Sequence, residues 1–371
     1  IFDSLQMQVV QRDESTVTMK IPSFRQDIAR QADLVEEVAR CFGYNEFAPT
    51  LPVAPIKAPE LQVVDRKLQA FLRQTLVDAG LFETVTYSFT GLDGLKAFPL
   101  GDADLSHDSV TIQNPININE ATMRTSLLPS LLQVVRRNIA RGNTDFGIFE
   151  FARTYVANGD SLCENRIVTV VVVGNPHNSW RNQKSELDFF DLKGLAEEIL
   201  FHSGVRRYRS MAGPDCLHPK RGISIQAGKN PIGFYGELHP HIAETYEISG
   251  RVLVLQLDVI ALTESYRTNQ TTYRPFSVFP SVKRDLALLL PQGVTAQKVE
   301  EIMRQESGEL LEDLLLFDYY QGKQVVAGAV SVAFRLTLRS QQETLNEEKV
   351  ESVVGLILNR LKKELDVSIR S

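Results

Sequence analysis

Four carboxylates near the start of the chain are the first residues whose type and spacing could do chemistry. Asp27 lies in a loop, and Asp33, Glu36 and Glu37 lie in the first turn of a helix that the pattern predicts over Asp33–Phe42. Hard cations such as Mg2+ prefer clustered carboxylate oxygens, which a loop followed by a helix can bring together. Acidic residues are also favoured at helix N-termini without any metal, because they cap backbone amides and complement the helix dipole. A Mg2+ site and a capped helix start are therefore both open.

Two His-Pro sequences are the other candidates for a base or a metal ligand. His218 precedes Pro-Lys-Arg, and His239 and His241 flank a proline. No third ligand is close in sequence, so we interpret both as turns with surface histidines. The three cysteines match neither a zinc spacing nor a disulfide framework, which favours a reducing cytoplasm. Walker, GxSxG, HExxH and GxGxxG patterns are absent.

Arginines near the end of the chain could bind RNA. Apolar and polar residues alternate over residues 330–339, which predicts a half-buried strand. Arg335, Thr337 and Arg339 are then expected on the face away from the core. An open sheet face with arginines can bind single-stranded RNA. In the simpler alternative these arginines only solvate an exposed surface, because such a fold hosts many functions.

The elements that position these arginines follow a strand-helix-strand-strand-helix-strand order in the last hundred residues. Thr295 and Asn346 are predicted N-caps of two amphipathic helices, the first of which ends at Gly308. Strands are predicted around them over residues 282–290, 314–320, 330–339 and 367–370. This order predicts a ferredoxin-like βαββαβ fold, in which both helices cover one face of the sheet.

Proline-rich segments divide the rest of the chain into domains. Residues 49–60 contain four prolines and are predicted to be an extended linker. Helices are predicted at about 61–79, 127–141 and 188–201, and strands at 83–89, 146–151 and 167–173. The predicted fold class is α+β. Its domains are a partial small α/β domain over 1–48, an antiparallel-sheet core over 61–265 and the ferredoxin-like domain over 273–371.

Composition limits the classes of protein that fit. With 371 residues, 43% hydrophobic and 23% charged, the chain should form two or three globular domains. The net charge of -6 argues against nucleic-acid binding by bulk electrostatics, so any RNA contact must be local. No apolar run approaches a membrane span, and no signal peptide is recognisable. The chain begins at Ile1 without Met, so we expect a piece of a longer polypeptide.

Several longer phrases in this order are more specific than any short motif. They include Ile21-Pro-Ser-Phe-Arg-Gln-Asp27, Ala32-Asp-Leu-Val-Glu-Glu-Val-Ala-Arg-Cys-Phe-Gly-Tyr44, Gln113-Asn-Pro115, Met123-Arg-Thr-Ser-Leu-Leu-Pro129, Leu217-His-Pro219, Gly236-Glu-Leu-His-Pro240, Phe279-Pro-Ser-Val-Lys-Arg-Asp285 and Phe334-Arg-Leu-Thr-Leu-Arg-Ser340. With these phrases the chain resembles, over nearly its whole length, the C-terminal portion of bacterial phenylalanyl-tRNA synthetase β subunits.

The resemblance implies an (αβ)2 heterotetramer that joins phenylalanine to tRNA(Phe) with ATP. Residues 61–265 would be the family's class II synthetase-like core, which does not catalyse. The sequence agrees, because it has neither an FRxE strand nor a glycine-rich strand ending in arginine to clamp ATP phosphates. The nearest segment, Phe146–Arg153, lacks the first arginine. We therefore predict no catalytic residue and no activity of this chain alone; a free-standing RNA-binding module is the alternative.

The resemblance also implies site residues. In the family the acidic cluster binds Mg2+ together with the α subunit, and Asp27, Asp33, Glu36 and Glu37 match that pattern. A separate Mg2+-dependent enzyme centred on this cluster is disfavoured, because no nucleophile or base accompanies it. The final domain resembles the family's anticodon-binding module. The residues expected to contact tRNA are Lys283, Arg284, Arg335 and Arg339.

Overall fold

The computed structural model divides the chain into two compact units. They are Ile1–Asn269 and Gln270–Ser371, and each is described by itself. The structure describes residues 1–53, 60–91, 109–159, 161–175, 187–268, 273, 275–322 and 329–370, without the side chains of 60–63.

The first unit begins with a two-stranded antiparallel sheet of β1 (Gln8–Arg12) and β2 (Val17–Lys20), followed by helix α1 (Gln31–Phe42). The helix starts two residues before the predicted Asp33. The carboxylate of Asp33 accepts the backbone N–H of Ala29 at 2.9 Å and of Arg30 at 2.7 Å. Asp33 is thus the third helical residue, so the predicted placement of the two glutamates in the first turn was wrong; they lie in the second turn.

A seven-stranded sheet forms the centre of the first unit, in the order β3-β6-β7-β11-β10-β9-β8. Its pairs are antiparallel except β3 with β6. The described strands and helices after α1 are α2 (Glu60–Asp78), β3 (Phe82–Glu83), β4 (Phe89–Thr90), β5 (Thr122–Met123), α3 (Leu128–Ile139), β6 (Phe146–Asn158), β7 (Ser161–Val173), α4 (Phe189–His202), β8 (Arg209–Ala212), β9 (Leu217–Ala227), β10 (Asn230–Leu238), α5 (Pro240–Thr245), β11 (Val252–Asp258) and α6 (Val259–Thr268).

Helices cover both faces of this sheet. Val168, Val170 and Val172 of β7 pack with α2, α4 and α6, whereas Val171 and Val173 pack with α3 and α5 on the opposite face. Double coverage explains the unbroken apolar run in β7, since both alternating sets of side chains are buried. The predicted strands over 146–151 and 167–173 are the buried halves of a longer hairpin.

Two further differences from the predicted elements have local causes. The prediction of one strand over 83–89 is wrong, because only its two ends pair with other strands: Glu83 with β6 and Phe89 with β5. The residues between them turn toward β6, where the N–H of Thr84 bonds the carbonyl of Phe149 at 2.8 Å. The helix predicted over 127–141 ends earlier, at Ile139, and Gly142 follows it with a φ of 86°.

The second unit confirms the predicted ferredoxin-like fold. Its elements are β12 (Val282–Leu290), α7 (Ala296–Ser307), β13 (Leu311–Tyr320), β14 (Val330–Leu338), α8 (Glu347–Leu365) and β15 (Ser368–Ile369). The sheet order is β13-β14-β12-β15, and both helices share one core with one face of the sheet. Both predicted N-caps are confirmed. Thr295 accepts the N–H of Lys298 at 3.4 Å, and Asn346 accepts that of Lys349 at 3.0 Å.

None of the helices in the described part of the chain is long and apolar enough to span a membrane.

Candidate functional site

The sheet face of the second unit that α7 and α8 leave uncovered is called the open face here. It carries the odd-numbered residues of β12 and β14, because the even-numbered ones form the core with the helices. Arg335 lies at its centre and donates two hydrogen bonds of 2.7 Å to the carboxylate of Asp285 on β12. These bonds lower the pKa of Asp285 and raise that of Arg335. The guanidinium also lies 4.9 Å from the ring centre of Phe317.

Two aromatic residues on the open face were not identified from the sequence. The pairing of β13 with β14 shifts register between Leu316 and Asp318, so Phe317 is an extra residue in a bulge. Its side chain is 45% exposed beside Arg335. Beyond the bulge, Tyr320 pairs with Ser331, and the guanidinium of Arg370 lies 5.3 Å from its ring centre. The bulge breaks the two-residue alternation that could have predicted the side of these aromatics.

Part of the open face is buried. Thr337 lies on it but is only 9% exposed, and its neighbours Ser331 and Ala333 are also buried. Thr337 thus lies on the predicted face of the sheet, although its side chain is buried there. β14 lies between β12 and β13, whose longer side chains stand beside these small residues. The accessible part is centred on Phe317 and Arg335.

The other residues predicted to contact tRNA are not all brought together. Lys283 is exposed and pairs in register with Thr337, so it lies on the open face. Arg284 has the parity of the core residues of β12 and forms an ion pair with Glu347 at the start of α8. Arg339 follows β14 and donates to Glu312 at 3.0 Å and to the carbonyl of Ser277 at 3.4 Å. The open face thus combines Lys283 and Arg335, with Arg284 on the helix side.

Arginines neutralise the acidic cluster at the start of the first unit. The Nη2 atom of Arg25 lies 2.7 Å from Oδ2 of Asp27 and 2.9 Å from Oε1 of Glu37. Arg40 adds a contact of 2.8 Å to Oε2 of Glu37. Hydrogen bonds from Arg25 and then Arg40 lower the pKa of Glu37 to about 2, and those from Arg25 lower the pKa of Asp27. Arg25 therefore occupies the position between two of the four carboxylates.

The four predicted ligands do not form a metal site as they stand. Asp33 is engaged by two backbone amides, and Glu36 is exposed on the helix surface. Across the described residues, no group of three or more His, Cys, Asp or Glu side chains is arranged to hold a metal ion. Carboxylate oxygens suit Mg2+ chemically. In the chain by itself, however, the guanidinium of Arg25 lies between Asp27 and Glu37.

The prediction of two turns was wrong, because His218 lies in β9 and His239 is the N-cap residue of α5. Nδ1 of His218 accepts the N–H of Lys220 at 3.1 Å, and Nδ1 of His239 accepts that of His241 at 3.2 Å. The second bond caps α5. His218 and His239 are half-buried rather than on the surface, whereas His241 is exposed.

Carboxylates pair with three arginines around the β6–β7 hairpin. Arg124 is buried and lies 3.1 Å from Glu150. Arg153 lies 2.6 Å from Glu164, and Arg166 forms an ion pair with Asp65. An arginine that clamps a nucleotide triphosphate must offer its positive charge to the phosphates. Each of these three already faces a carboxylate.

Apolar side chains are exposed along the β3 end of the large sheet. Val85 is 92% exposed and Tyr87 is 76% exposed, on the chain between β3 and β4. We call the exposed apolar residues in this part of the unit the β3-edge strip: Phe82, Val85, Tyr87, Phe89, Ile116 and Ile118. Exposed apolar surface of this kind typically marks a site where another protein binds.

Three family models match successive parts of the chain. Residues 48–259 match the phenylalanyl tRNA synthetase beta chain CLM domain. Residues 277–370 match the ferredoxin-fold anticodon binding domain, and residues 1–44 match the tRNA synthetase B5 domain.

Curated relatives match nearly the whole chain. The chain is 33% identical over 98% of its length to a phenylalanine--tRNA ligase beta subunit of Syntrophotalea carbinolica, of which it covers 45%. It is 36% identical over 96% of its length to the subunit of that name from Symbiobacterium thermophilum, of which it covers 40%. The chain thus spans less than half the length of these relatives. A solved pyrrolysyl tRNA synthetase of Desulfitobacterium hafniense matches 53% of the chain and 66% of its own, at 16% identity and a TM-score of 0.42. That likeness is too weak to argue from.

Proposed function

This chain belongs to the phenylalanyl-tRNA synthetase beta chain family, and we therefore propose that it is the part of a β subunit that holds the catalytic α subunit and tRNA(Phe). ATP-dependent joining of phenylalanine to the tRNA then takes place on α, within an (αβ)2 heterotetramer in the cytoplasm. The observation that carries the tRNA role is the open face, because it combines exposed aromatic and arginine side chains in the unit that matches an anticodon binding domain.

The open face suits the bases of an anticodon loop. Unpaired bases can stack on an exposed ring, and each such stack contributes about 1–3 kcal/mol. Phe317 offers a ring, and Arg335 is held beside it by Asp285. Tyr320 with Arg370 offers a second pair of the same kind. Because Asp285 neutralises Arg335, stacking rather than net charge should supply most of the affinity.

Substitution of the ring tests this role in the assembled enzyme. Phe317→Ala should weaken tRNA(Phe) binding by about 1–3 kcal/mol, or roughly 5- to 150-fold. Phenylalanine-dependent ATP–pyrophosphate exchange should not change, because that step needs no tRNA. Leu356→Ala on α8 is the matched control, since Leu356 is 51% exposed on the helix side. Equal tRNA affinity of both variants and the unsubstituted enzyme would refute the assignment.

The β3-edge strip is proposed as part of the surface that holds α. Burial of its exposed apolar side chains would stabilise the complex by removing them from water. The double variant Val85→Asp with Tyr87→Asp should lose co-elution with α in size-exclusion chromatography. Leu162→Asp introduces a charge at another exposed apolar position of the same unit and should co-elute normally. If the double variant co-elutes as well as the control, the strip is not the α surface. A chain that never binds α would instead be a free-standing RNA-binding module.

Mg2+ is proposed to reach the acidic cluster only in the assembled enzyme. Asp27, Asp33, Glu36 and Glu37 would then act with a ligand from α, after Arg25 has left its position between two of them. Assembly with α should depend on Mg2+ in the unsubstituted chain and much less in a variant with Asp33→Ala and Glu37→Ala. Equal Mg2+ dependence of the two proteins would exclude these residues as ligands.

The chain alone is proposed to be catalytically inert. The support is that Arg124, Arg153 and Arg166 each face a carboxylate, which offsets the charge that a triphosphate would need. The purified chain without α should therefore show no phenylalanine-dependent ATP–pyrophosphate exchange. Exchange above the background of a matched blank preparation would refute this part of the proposal.

A further inference from the structure

Basic residues concentrate at the edge of the large sheet opposite the β3-edge strip. Residues 203–230 contain six Lys or Arg and one Asp, in a chain whose net charge is -6. β8 forms this edge, and its first residue, Arg209, pairs with Gln226 near the end of β9. Lys229 lies in the turn that joins β9 to β10, between the paired Ala227 and Asn230. We call Arg206, Arg207, Arg209 and Lys229 the β8-edge cluster.

The approach to β8 keeps these side chains in solvent. Tyr208 is half-buried, and its hydroxyl donates a hydrogen bond of 2.9 Å to Glu197 on α4. The residues on either side of it, Arg207 and Arg209, are both exposed. This hydrogen bond also occupies the carboxylate of Glu197, an acidic residue close to the cluster in the fold.

No carboxylate among the described residues forms an ion pair with the β8-edge cluster. Arg207, Arg209 and Lys229 form no ion pair with any residue in the part of the chain that the structure describes, whereas arginines on β6, β7 and β9 each have one. Arg206 instead lies 3.7 Å from the ring centre of Phe201, which is 54% exposed. Unpaired cations beside an arginine stacked on an exposed ring are what the phosphates and bases of RNA bind.

We propose that the β8-edge cluster is a second RNA-binding surface, which contacts phosphates of the bound tRNA. The inference rests on the proposed function for the identity of the RNA. Charged residues also protect free sheet edges from pairing. Protection needs only scattered charges, however, and here four cations lie together with one stacked aromatic ring. An acidic protein segment would form backbone hydrogen bonds with β8, whereas RNA binding would depend on the charges of the arginine and lysine side chains.

The test uses the enzyme assembled with α and a transcript of tRNA(Phe). The double variant Arg207→Glu with Arg209→Glu should weaken tRNA binding roughly tenfold at about 0.1 M salt. The magnitude of the slope of log affinity against log salt concentration should also fall by about 1.4–1.8, because two phosphate contacts are lost. Lys362→Glu with Lys363→Glu is the matched control, because it makes the same change in net charge at exposed positions on α8. The control should keep the unsubstituted slope.

Each outcome has one interpretation. Unchanged slope and affinity in the Arg207 and Arg209 variant would overturn the second surface and leave the proposed function intact. An equal change in the control would mean that net charge alone acts, which also overturns it. An assembled enzyme that binds no tRNA would refute both proposals. The circular dichroism of the Arg207→Glu with Arg209→Glu variant and its co-elution with α should match those of the unsubstituted chain. Arg207→Gln with Arg209→Gln should show about half the loss of tRNA affinity if folding is unaffected.

Discussion

The buried ion pair of Arg124 and Glu150 offers the strongest test of how the first unit is held together. Arg124 donates from Nη1 to Glu150 at 3.1 Å and to the hydroxyl of Thr86 at 2.9 Å, and from Nε to the carbonyl of Arg153 at 3.0 Å. Glu150 also accepts the N–H and the hydroxyl of Thr86, at 3.1 and 2.8 Å. One side chain thus joins the segment after β3, the residue after β5 and strand β6.

Removal of Arg124 should cost far more than removal of a surface arginine. The two side chains are 4% and 3% exposed, so Arg124→Ala leaves a carboxylate buried without its cation. Breaking a buried pair in this way costs about 3–5 kcal/mol. A domain is stable by only about 5–15 kcal/mol, so the variant should lose a large part of the stability of the first unit.

Urea unfolding followed by far-ultraviolet circular dichroism measures the effect. Arg124→Ala should lower the unfolding midpoint of the first unit by about 1 M or more. Arg153→Ala is the matched control, because its pair with Glu164 is 59% and 43% exposed and should contribute less than about 1 kcal/mol. The separate core of the second unit provides an internal reference for the transition.

A double variant separates charge burial from lost packing. Arg124→Met with Glu150→Gln removes both charges, so it should be more stable than Arg124→Met alone by about 1–3 kcal/mol. If Arg124→Ala costs no more than Arg153→Ala, the argument from burial is wrong. If the double variant is less stable than the single one, the cost is not that of an unpaired carboxylate.

Three further outcomes follow from single residues. The pKa of Glu37 is lowered to about 2 in the fold, so its contribution to stability is present above its ordinary pKa and is lost as pH falls toward 2. Glu37→Gln should therefore be less stable at neutral pH, and its Tm in thermal melts should depend less on pH over that range. Burial raises the pKa of Cys216 to about 12, so iodoacetamide should label only the two exposed cysteines of the native chain and all three after denaturation. Gly236 has a φ of 153°, and an added Cβ would lie 2.2 Å from the carbonyl oxygen of Arg221, so Gly236→Ala should lower stability by about 2 kcal/mol or more in chemical unfolding.

Local signals predicted the second unit well. Thr295 and Asn346 cap their helices as the sequence indicates, because a side-chain oxygen that accepts a nearby amide needs only short-range geometry. The six elements and their order followed from alternation and apolar stripes. The same local reasoning missed Phe317 and Tyr320, because the bulge in β13 depends on how that strand pairs with β14.

The acidic cluster shows what spacing in the sequence could not predict. Its residue types and spacing are visible in the sequence, and they suggested a cation. The partner cation of Glu37 is Arg25, twelve residues earlier, held at 2.9 Å. Sequence spacing does not show whether a loop folds back over a helix, so a guanidinium and a metal ion were equally compatible with it.

The sequence by itself determined the family, the ferredoxin-like fold and the caps, because each depends on residue types at short or repeated spacing. Only the tertiary structure decided which charges are satisfied. Arg284 faces α8, Arg124 is buried against Glu150, and Arg207 and Arg209 form no ion pair with any described residue. The physical reason is that an ion pair depends on the distance between two charged groups, and that distance is set by packing of segments far apart in the chain.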